Sequence, residues 1–480
     1  MPRQRTKIIA TLGPASDHEH TLRAMIDAGL NVVRINFSHA KHDALRDSLA
    51  RVRRAAEAAG VPVAILGDLR GPRIRVGEMA GGFITLASEA EVLFTPEPCV
   101  GTPERVSVTF PRLAGDVEPG ALILLDDGNL LLSVLAVRGG ADGEIVTRVT
   151  RGGTLSSNRG LNLPGRRVSL PSLTDKDVAD VDFAVAEGFD FLALSFVQSA
   201  EDVRGLQTLL AARGADIPVV AKIEKKSALD DIEAIAATAY GVMVARGDLA
   251  LEMSLPEVPI AQKRIIAACR RAATPVITAT QMLESMTHFP KPTRAEATDV
   301  ANAIFDGTDA VMLSGESAMG EFPVETVATM SAIAARAEAA WTGGELPPPT
   351  PLAERPELES VVAHAAKDIA TALGARAIVT HTTSGSTTRR VACHRPCMAL
   401  LALCTDERIR RRLTLTWGVE SELTEEIRGT AHMTRLAVRA AVAQAGARPG
   451  EHVVVVAGTP YRVSGKTNLL KVETVPPGET

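Results

Sequence analysis

Residues 217–248, "IPVVAKIEKKSALDDIEAIAATAYGVMVARGD", decide how the chain folds. Two continuous apolar runs, 217–224 and 241–248, flank a segment of helical periodicity. Apolarity without alternation marks strands buried on both faces, and the spacer is long enough for the crossover helix of a parallel pair. Each run ends in charge, Lys222 and Glu224 on the first, Arg246 and Asp248 on the second. Working outward, the same unit recurs at "KIIATLG" (7–13), "NVVRINF" (31–37), "VPVAILGD" (61–68), "FDFLALSF" (189–196), "PVITATQ" (275–281) and "DAVMLSGE" (309–316). Eight such units are the count of a closed (β/α)8 TIM barrel. An open doubly wound sheet shares the pattern, but eight units in succession favour closure.

One connection is out of proportion. After residue 71 the chain runs through short β-prone pieces such as "RVSVTF" and "GEIVTRVTRGG" until a helical pattern resumes at 173–188. This predicts a small β-barrel lid inserted on the face where barrel enzymes keep their active sites. The Pro- and Gly-rich "TGGELPPPTPLAERP" reads as a linker, and the strand candidates beyond it, alternating with helices, predict a smaller α/β domain. The expected division is a catalytic barrel (1–71 and 169–341), a lid (72–168), a linker (342–356) and a C-terminal α/β effector-binding domain (357–480). Length alone requires more than one core, since the chain has 480 residues. A net charge of -5 with both signs interspersed gives no reason to expect nucleic acid or membrane as partner. Five scattered cysteines and the lack of a long apolar leader predict a reducing, cytoplasmic setting.

A barrel concentrates chemistry at the C-terminal ends of its strands, and there the chain places Arg34, Asn36 and Ser38, Asp68, Lys222 and Glu224, Arg246 and Asp248, Thr280 and Gln281, Ser314 and Glu316. Glu224 and Asp248 end neighbouring strands, and two carboxylates with room for water suit the all-oxygen preference of Mg²⁺. Lys222 alternates with Glu224 and shares its face, where an ammonium can stabilise an enolate oxygen or a transferring phosphoryl group. A structural ion pair would explain an isolated Lys-x-Glu; the rim context favours function.

The motifs "VVRINFSHA", "VVAKIE", "GVMVARGDLALE", "ITATQMLESM" and "PKPTRAEATDVANAIFDGTDAVMLSGESA" resemble those of the pyruvate kinase family, collinearly and over nearly the whole chain. The resemblance implies phosphoryl transfer from phosphoenolpyruvate to ADP, giving pyruvate and ATP. It implies Mg²⁺ on Glu224 and Asp248, with Mn²⁺ able to replace it, and catalytic roles for Lys222, Thr280 and Arg34. Substrate would be bound by Lys222, Gly247, Asp248 and Thr280, and nucleotide by Arg34, Asn36, His39, Arg75 and Arg159. A homotetramer is the family's usual assembly. One alternative is an aldolase-type barrel handling pyruvate enolates with Mg²⁺, which would need neither the lid nor the phosphate-binding arginines; another is a catalytically silent metabolite-binding regulator.

Where the family commonly reads D-T-K-G-P-E-I-R, this chain reads "DLRGPRIR" at 68–75. The monovalent-cation position of the family falls on Asn36, Ser38, Asp68 and Leu69, and Arg73 replaces the glutamate beside it. The expectation is that the Arg73 guanidinium stands in for potassium, so that K⁺ is not required. In the C-terminal domain, "THTTSGSTTRR" puts Thr382, Ser384, Gly385, Ser386 and Thr387 before a helix. The resemblance makes these residues the binding loop of a phosphorylated allosteric activator, completed by "GTPYRVSGKTN" at 458–468; helix capping is the plainer reading of such a run.

Overall fold

The computed structural model describes residues 4–38, 42–346, 357–460 and 465–478. His39, residues 347–356 of the expected linker and residues 461–464 of the second effector loop lie outside them. All eight expected strands form, as Lys7–Thr11, Leu30–Asn36, Ala64–Asp68, Phe191–Leu194, Val219–Ile223, Gly241–Ala245, Val276–Ala279 and Ala310–Leu313. They pair in parallel in chain order, and the eighth returns to the first, so the barrel closes.

The two-residue period of a strand divides the core into two layers. Ile9, Val32, Leu66, Phe191, Val220, Met243, Ile277 and Met312 fill the barrel interior. Their neighbours Ile8, Val33, Ile65, Leu192, Ala221, Val244 and Val311 belong to the cluster shared with the surrounding helices. Continuing the inner parity to the strand ends brings Thr11, Arg34, Asn36, Asp68, Ser195, Lys222, Glu224 and Ser314 over the interior stack. The helices begin where side chains can satisfy orphan amides: Thr174 and Thr293 form capping boxes with Asp177 and Glu296 ahead of Asp175–Ala186 and Arg294–Asp306.

The insert folds around its own core, which includes Val76, Phe94, Ile123, Leu132 and Val149. Its main sheet has six strands, with Arg105–Ser107 at one edge and Leu161–Asn162 at the other. The segment entering the lid bonds to both edges. Leu161 N–H donates to the Ile74 carbonyl and Val76 N–H to that of Arg159, while Thr109 N–H donates to the Arg75 carbonyl and Gly77 N–H to that of Ser107. The residues just past the hinge thus close the lid's sheet on itself.

The C-terminal domain has a five-stranded sheet. Four strands, Ala377–His381, Ala399–Cys404, His452–Ala457 and Leu469–Thr474, fall where the sequence predicts them. The fifth, Val419–Leu423, escapes a hydrophobicity reading because it is an edge strand carrying Glu420, Ser421 and Glu422. The domain sits under the barrel floor: its Leu415 joins the interior stack, packed with Tyr240. No helix among the described residues is long and apolar enough to cross a membrane.

Candidate active site

Inner parity gathers a chain of alternating charge at the top of the barrel. Two nitrogens of Arg34 converge on Asp68 Oδ2, Nε at 2.7 Å and Nη2 at 2.6 Å, and its Nη1 donates to Thr11 Oγ1 at 2.9 Å. Lys222 Nζ lies 3.1 Å from Asp68 Oδ1 and 2.9 Å from Glu224 Oε1, and donates to Ser195 Oγ at 2.7 Å. Glu224 Oε2 accepts the Phe196 amide at 2.7 Å. Lys222 is thus ion-paired at the rim position where the sequence places its expected function. Thr11 and Ser195 were not singled out in the sequence; their signal is parity with Ile9 and Ala193 on the first and fourth strands.

Burial makes this chain of charges interdependent. Desolvation pushes the Lys222 ammonium toward its neutral form, but Asp68 and Glu224 outweigh it and hold the proton more firmly than usual. Desolvation likewise opposes ionisation of Asp68, yet Lys222 and Arg34 keep its carboxyl below the usual range. Glu224 goes the other way: burial is the largest cause of its raised carboxyl, Lys222 opposes it, and the negative charge of Asp248 adds to it. Two carboxylates that repel each other, Glu224 buried and Asp248 partly exposed, are what a hard divalent cation relieves, so the donor set fits Mg²⁺. Asp248 Oδ1 is 3.1 Å from Arg73 Nη2.

Beside Asp248, at the end of the seventh strand, Thr280 and Gln281 take left-handed φ values of 68° and 52°. Such backbone persists only where its surroundings enforce it. Arg246 does this, donating to the carbonyls of Ala279 at 3.2 Å and Thr280 at 2.6 Å while gripping both Asp299 oxygens at 2.8 and 2.7 Å. Thr280 Oγ1 donates to the Ala279 carbonyl at 2.6 Å and accepts the Gly247 amide at 3.0 Å. Glu316 ties the seventh and eighth strand ends together by accepting the Ser314 amide at 2.6 Å and the Leu283 amide at 3.2 Å.

Around the expected monovalent-cation position, Asn36 Oδ1 accepts the Ser38 amide at 3.0 Å, and the carbonyl of buried Leu69 accepts the Ser195 hydroxyl at 2.7 Å. Arg73 is on Asp248, not on Asp68. From the lid, Arg75 Nη1 donates to the Asn158 carbonyl at 2.7 Å while its buried Nε has no partner among the described residues. Desolvation, followed by repulsion from Arg70 and Arg73, lowers its proton affinity. Arg159 pairs with Asp126 at 3.1 Å.

A second cavity opens at the C-terminal ends of the smaller sheet's strands, lined by Thr382, Thr383, Ser384, Thr387, Thr405, Glu425, Glu426 and Lys466 among others. It lies where the strand order reverses, with strand Ala377–His381 between Ala399–Cys404 and His452–Ala457. Thr382 Oγ1 accepts the Gly385 amide at 2.9 Å, and the Thr387 and Thr467 hydroxyls are hydrogen-bonded to each other at 2.8 Å. Ser386 is engaged by Arg390, so of the expected loop Ser384 is the hydroxyl without a protein partner among the described residues.

Two family models match the chain, the pyruvate kinase barrel domain over residues 3–327 and the pyruvate kinase alpha/beta domain over residues 360–473. A pyruvate kinase of Geobacillus stearothermophilus is 45% identical over 98% of this chain and 81% of its own length. One of Mycobacterium tuberculosis is 43% identical over 98% of both. The crystal structure of a pyruvate kinase from Cryptosporidium parvum superposes with a TM-score of 0.88 at 35% identity, covering 99% of this chain and 96% of that one. Built on a closed barrel with charge threaded through its rim, this chain belongs to the pyruvate kinase family.

Proposed function

We propose that the barrel rim transfers the phosphoryl group of phosphoenolpyruvate to ADP through the charge chain Arg34–Asp68–Lys222–Glu224, the observation that carries this reading. Phosphoryl transfer spreads charge over oxygens and asks the protein mainly for positioning and electrostatic stabilisation. Lys222, held protonated between two carboxylates, supplies a fixed cation where charge passes between phosphoryl group and enolate. Glu224 and Asp248 would hold Mg²⁺, or Mn²⁺ in its place, which when bound offsets charge on substrate oxygens. Arg34, oriented by Asp68, and Arg75 and Arg159 on the lid meet the phosphates, with Asn36 close by. Thr280 faces the enolate, its hydroxyl fixed by the Gly247 amide and the Ala279 carbonyl. Proton delivery then runs through this hydroxyl and ordered water, since an isolated hydroxyl is a weak acid.

The same geometry supports a reading in which turnover needs no potassium. Asp68 already faces two fixed cations, and the oxygens of Asn36 and Leu69 already accept protein donors. Arg73 adds further positive charge at the mouth. The C-terminal cavity takes a phosphorylated activator, with Ser384, Thr382, Thr387 and Lys466 toward the phosphate, and the chain assembles as a homotetramer.

Initial rates with phosphoenolpyruvate and ADP in a tetramethylammonium buffer test the central points together. Pyruvate release that requires ADP and Mg²⁺ is expected, rising less than tenfold (about 1.4 kcal/mol) on adding potassium. ADP-independent release would favour the aldolase-type alternative, and larger activation would remove potassium independence alone. A panel of sugar phosphates and nucleotides, assayed on wild type and on Ser384→Ala, identifies the activator.

A further inference from the structure

Arg73 is two residues beyond a fixed point. Gly71 has φ of 68°, a Cβ there would lie 2.9 Å from that of Ser195, and its amide donates to Asp177 Oδ1 at 3.0 Å. Ile74, one residue further on, is already bonded into the lid sheet through its carbonyl and packed in the lid core. The Arg73 side chain therefore leaves the short stem that joins the two bodies, and its guanidinium reaches across to Asp248 on the barrel.

We infer that Arg73 is a latch on Asp248 that competes with the divalent cation for the same carboxylate oxygen, so that metal binding releases the lid stem and frees the guanidinium for an anionic ligand. The inference rests on the reading of Asp248 as a metal ligand. A cation and a guanidinium cannot both saturate one oxygen, and the pair is accessible to exchange, its side chains being 35% and 29% exposed. The freed Arg73 has an obvious destination. Arg70 and Arg73 already act repulsively on Arg75, and three guanidiniums crowded at one mouth are relieved by a polyanion. Metal binding and phosphate binding would thus be coupled through one side chain on the hinge. This role differs from that of a potassium substitute, which would keep Arg73 beside Asp68.

The test is Mn²⁺ binding without substrates, read as the loss of the free-ion electron paramagnetic resonance signal. Arg73→Gln is expected to bind Mn²⁺ about threefold to fivefold tighter than wild type, the size appropriate to a half-exposed ion pair. Arg70→Gln removes a neighbouring charge that is not on Asp248 and should leave affinity within about twofold. Hydrogen exchange in residues 72–76 should rise on adding Mn²⁺ to wild type and stay unchanged in Arg73→Gln. Equal or weaker Mn²⁺ binding by Arg73→Gln overturns the latch, as does equal tightening by Arg70→Gln, which would point to the general field. Asp248→Asn separates the two readings. If it loses Mn²⁺ binding while Arg73→Gln behaves as wild type, only the latch fails; if it binds as wild type, the metal-ligand assignment fails and the latch with it.

Discussion

At the scale of single residues, the role proposed for Lys222 puts catalysis and stability on one side chain. It is 12% exposed and is the nearest cation to both Asp68 Oδ1 and Glu224. From the sequence alone, Lys222→Met would be expected to abolish transfer and leave folding intact. The structure revises the second half, because methionine leaves buried Glu224 without its counter-charge and leaves Asp68 with Arg34 alone. The expected loss is about 10²–10³ in kcat together with about 3–5 kcal/mol of stability. Steady-state kinetics and thermal unfolding of the same preparation check both, and a silent melting curve would show that the carboxylates relax or take up protons. His381 offers a residue-scale pH prediction. Its Nε2 faces the Met433 carbonyl at 3.1 Å, its Nδ1 is buried without a partner among the described residues, and burial pulls its pKa down to about 4. A histidine with a depressed folded pKa binds its proton more readily when unfolded. The stability it contributes is therefore present above pH 6.5 and is lost as pH falls from there toward 4. On the order of 3 kcal/mol is at stake. Melting temperatures across pH 7 to 4.5 should fall less steeply for His381→Asn than for wild type.

At the scale of elements, the decisive pieces are the two places where regular structure ends in strained backbone. The hinge at Gly71 requires a left-handed residue pressed against Ser195, so Gly71→Ala combines a φ penalty of roughly 1–2 kcal/mol with a contact that must shift. Because the displaced backbone carries the lid stem, the loss should fall mainly on kcat/KM for ADP rather than on phosphoenolpyruvate binding; a variant whose kinetics matched wild type would mean that the hinge tolerates the added methyl. The second place is the Thr280–Gln281 turn held by Arg246. Arg246→Lys keeps the charge but loses the planar fork that reaches Asp299 and the strand-end carbonyls at once. A fall in kcat of about tenfold or more at unchanged Mg²⁺ dependence is expected, and a purely structural role would instead lower melting temperature and leave kcat in place.

At the scale of the whole molecule, the C-terminal domain grips the barrel floor with arginines aimed at the beginnings of strands. Arg395 Nη1 meets Asp309 Oδ1 at 3.0 Å just before the eighth strand, and the other Asp309 oxygen accepts the Val276 amide that opens the seventh. Arg411 meets Asp190 at 2.7 Å ahead of the fourth strand, and Arg389 stacks over Tyr240 at 4.3 Å ahead of the sixth. Arg395 itself ends the turn after helix Ser386–Ala392, whose N-terminus adjoins the expected effector loop. Strands seven and eight carry Thr280 and Ser314 at their far ends, so the Arg395–Asp309 pair is one contact between the element beside the C-terminal cavity and the strands that reach the candidate site. Arg395→Ala should cost about 3–5 kcal/mol and, measured with the activator found by the panel, should uncouple activation from catalysis. Preserved activation in a correctly folded variant would place the coupling elsewhere.

The sequence by itself determined the eight-unit barrel, the lid, the smaller α/β sheet and the rim residues, because strand parity and buried apolar runs are local patterns that a closed parallel barrel converts directly into position. Parity was also enough to implicate Thr11 and Ser195, had the first and fourth strand ends been read as the others were. It was not enough for Val419–Leu423, where an edge strand needs no continuous apolar run. Only the tertiary structure decided which charges meet. Arg73 and Asp248 are 175 positions apart, and Arg395 and Asp309, which meet across a domain boundary, are 86 apart. Which oxygen a long, flexible guanidinium selects depends on where separate bodies dock and on how much water their contact excludes, and neither is encoded in the spacing of neighbouring residues.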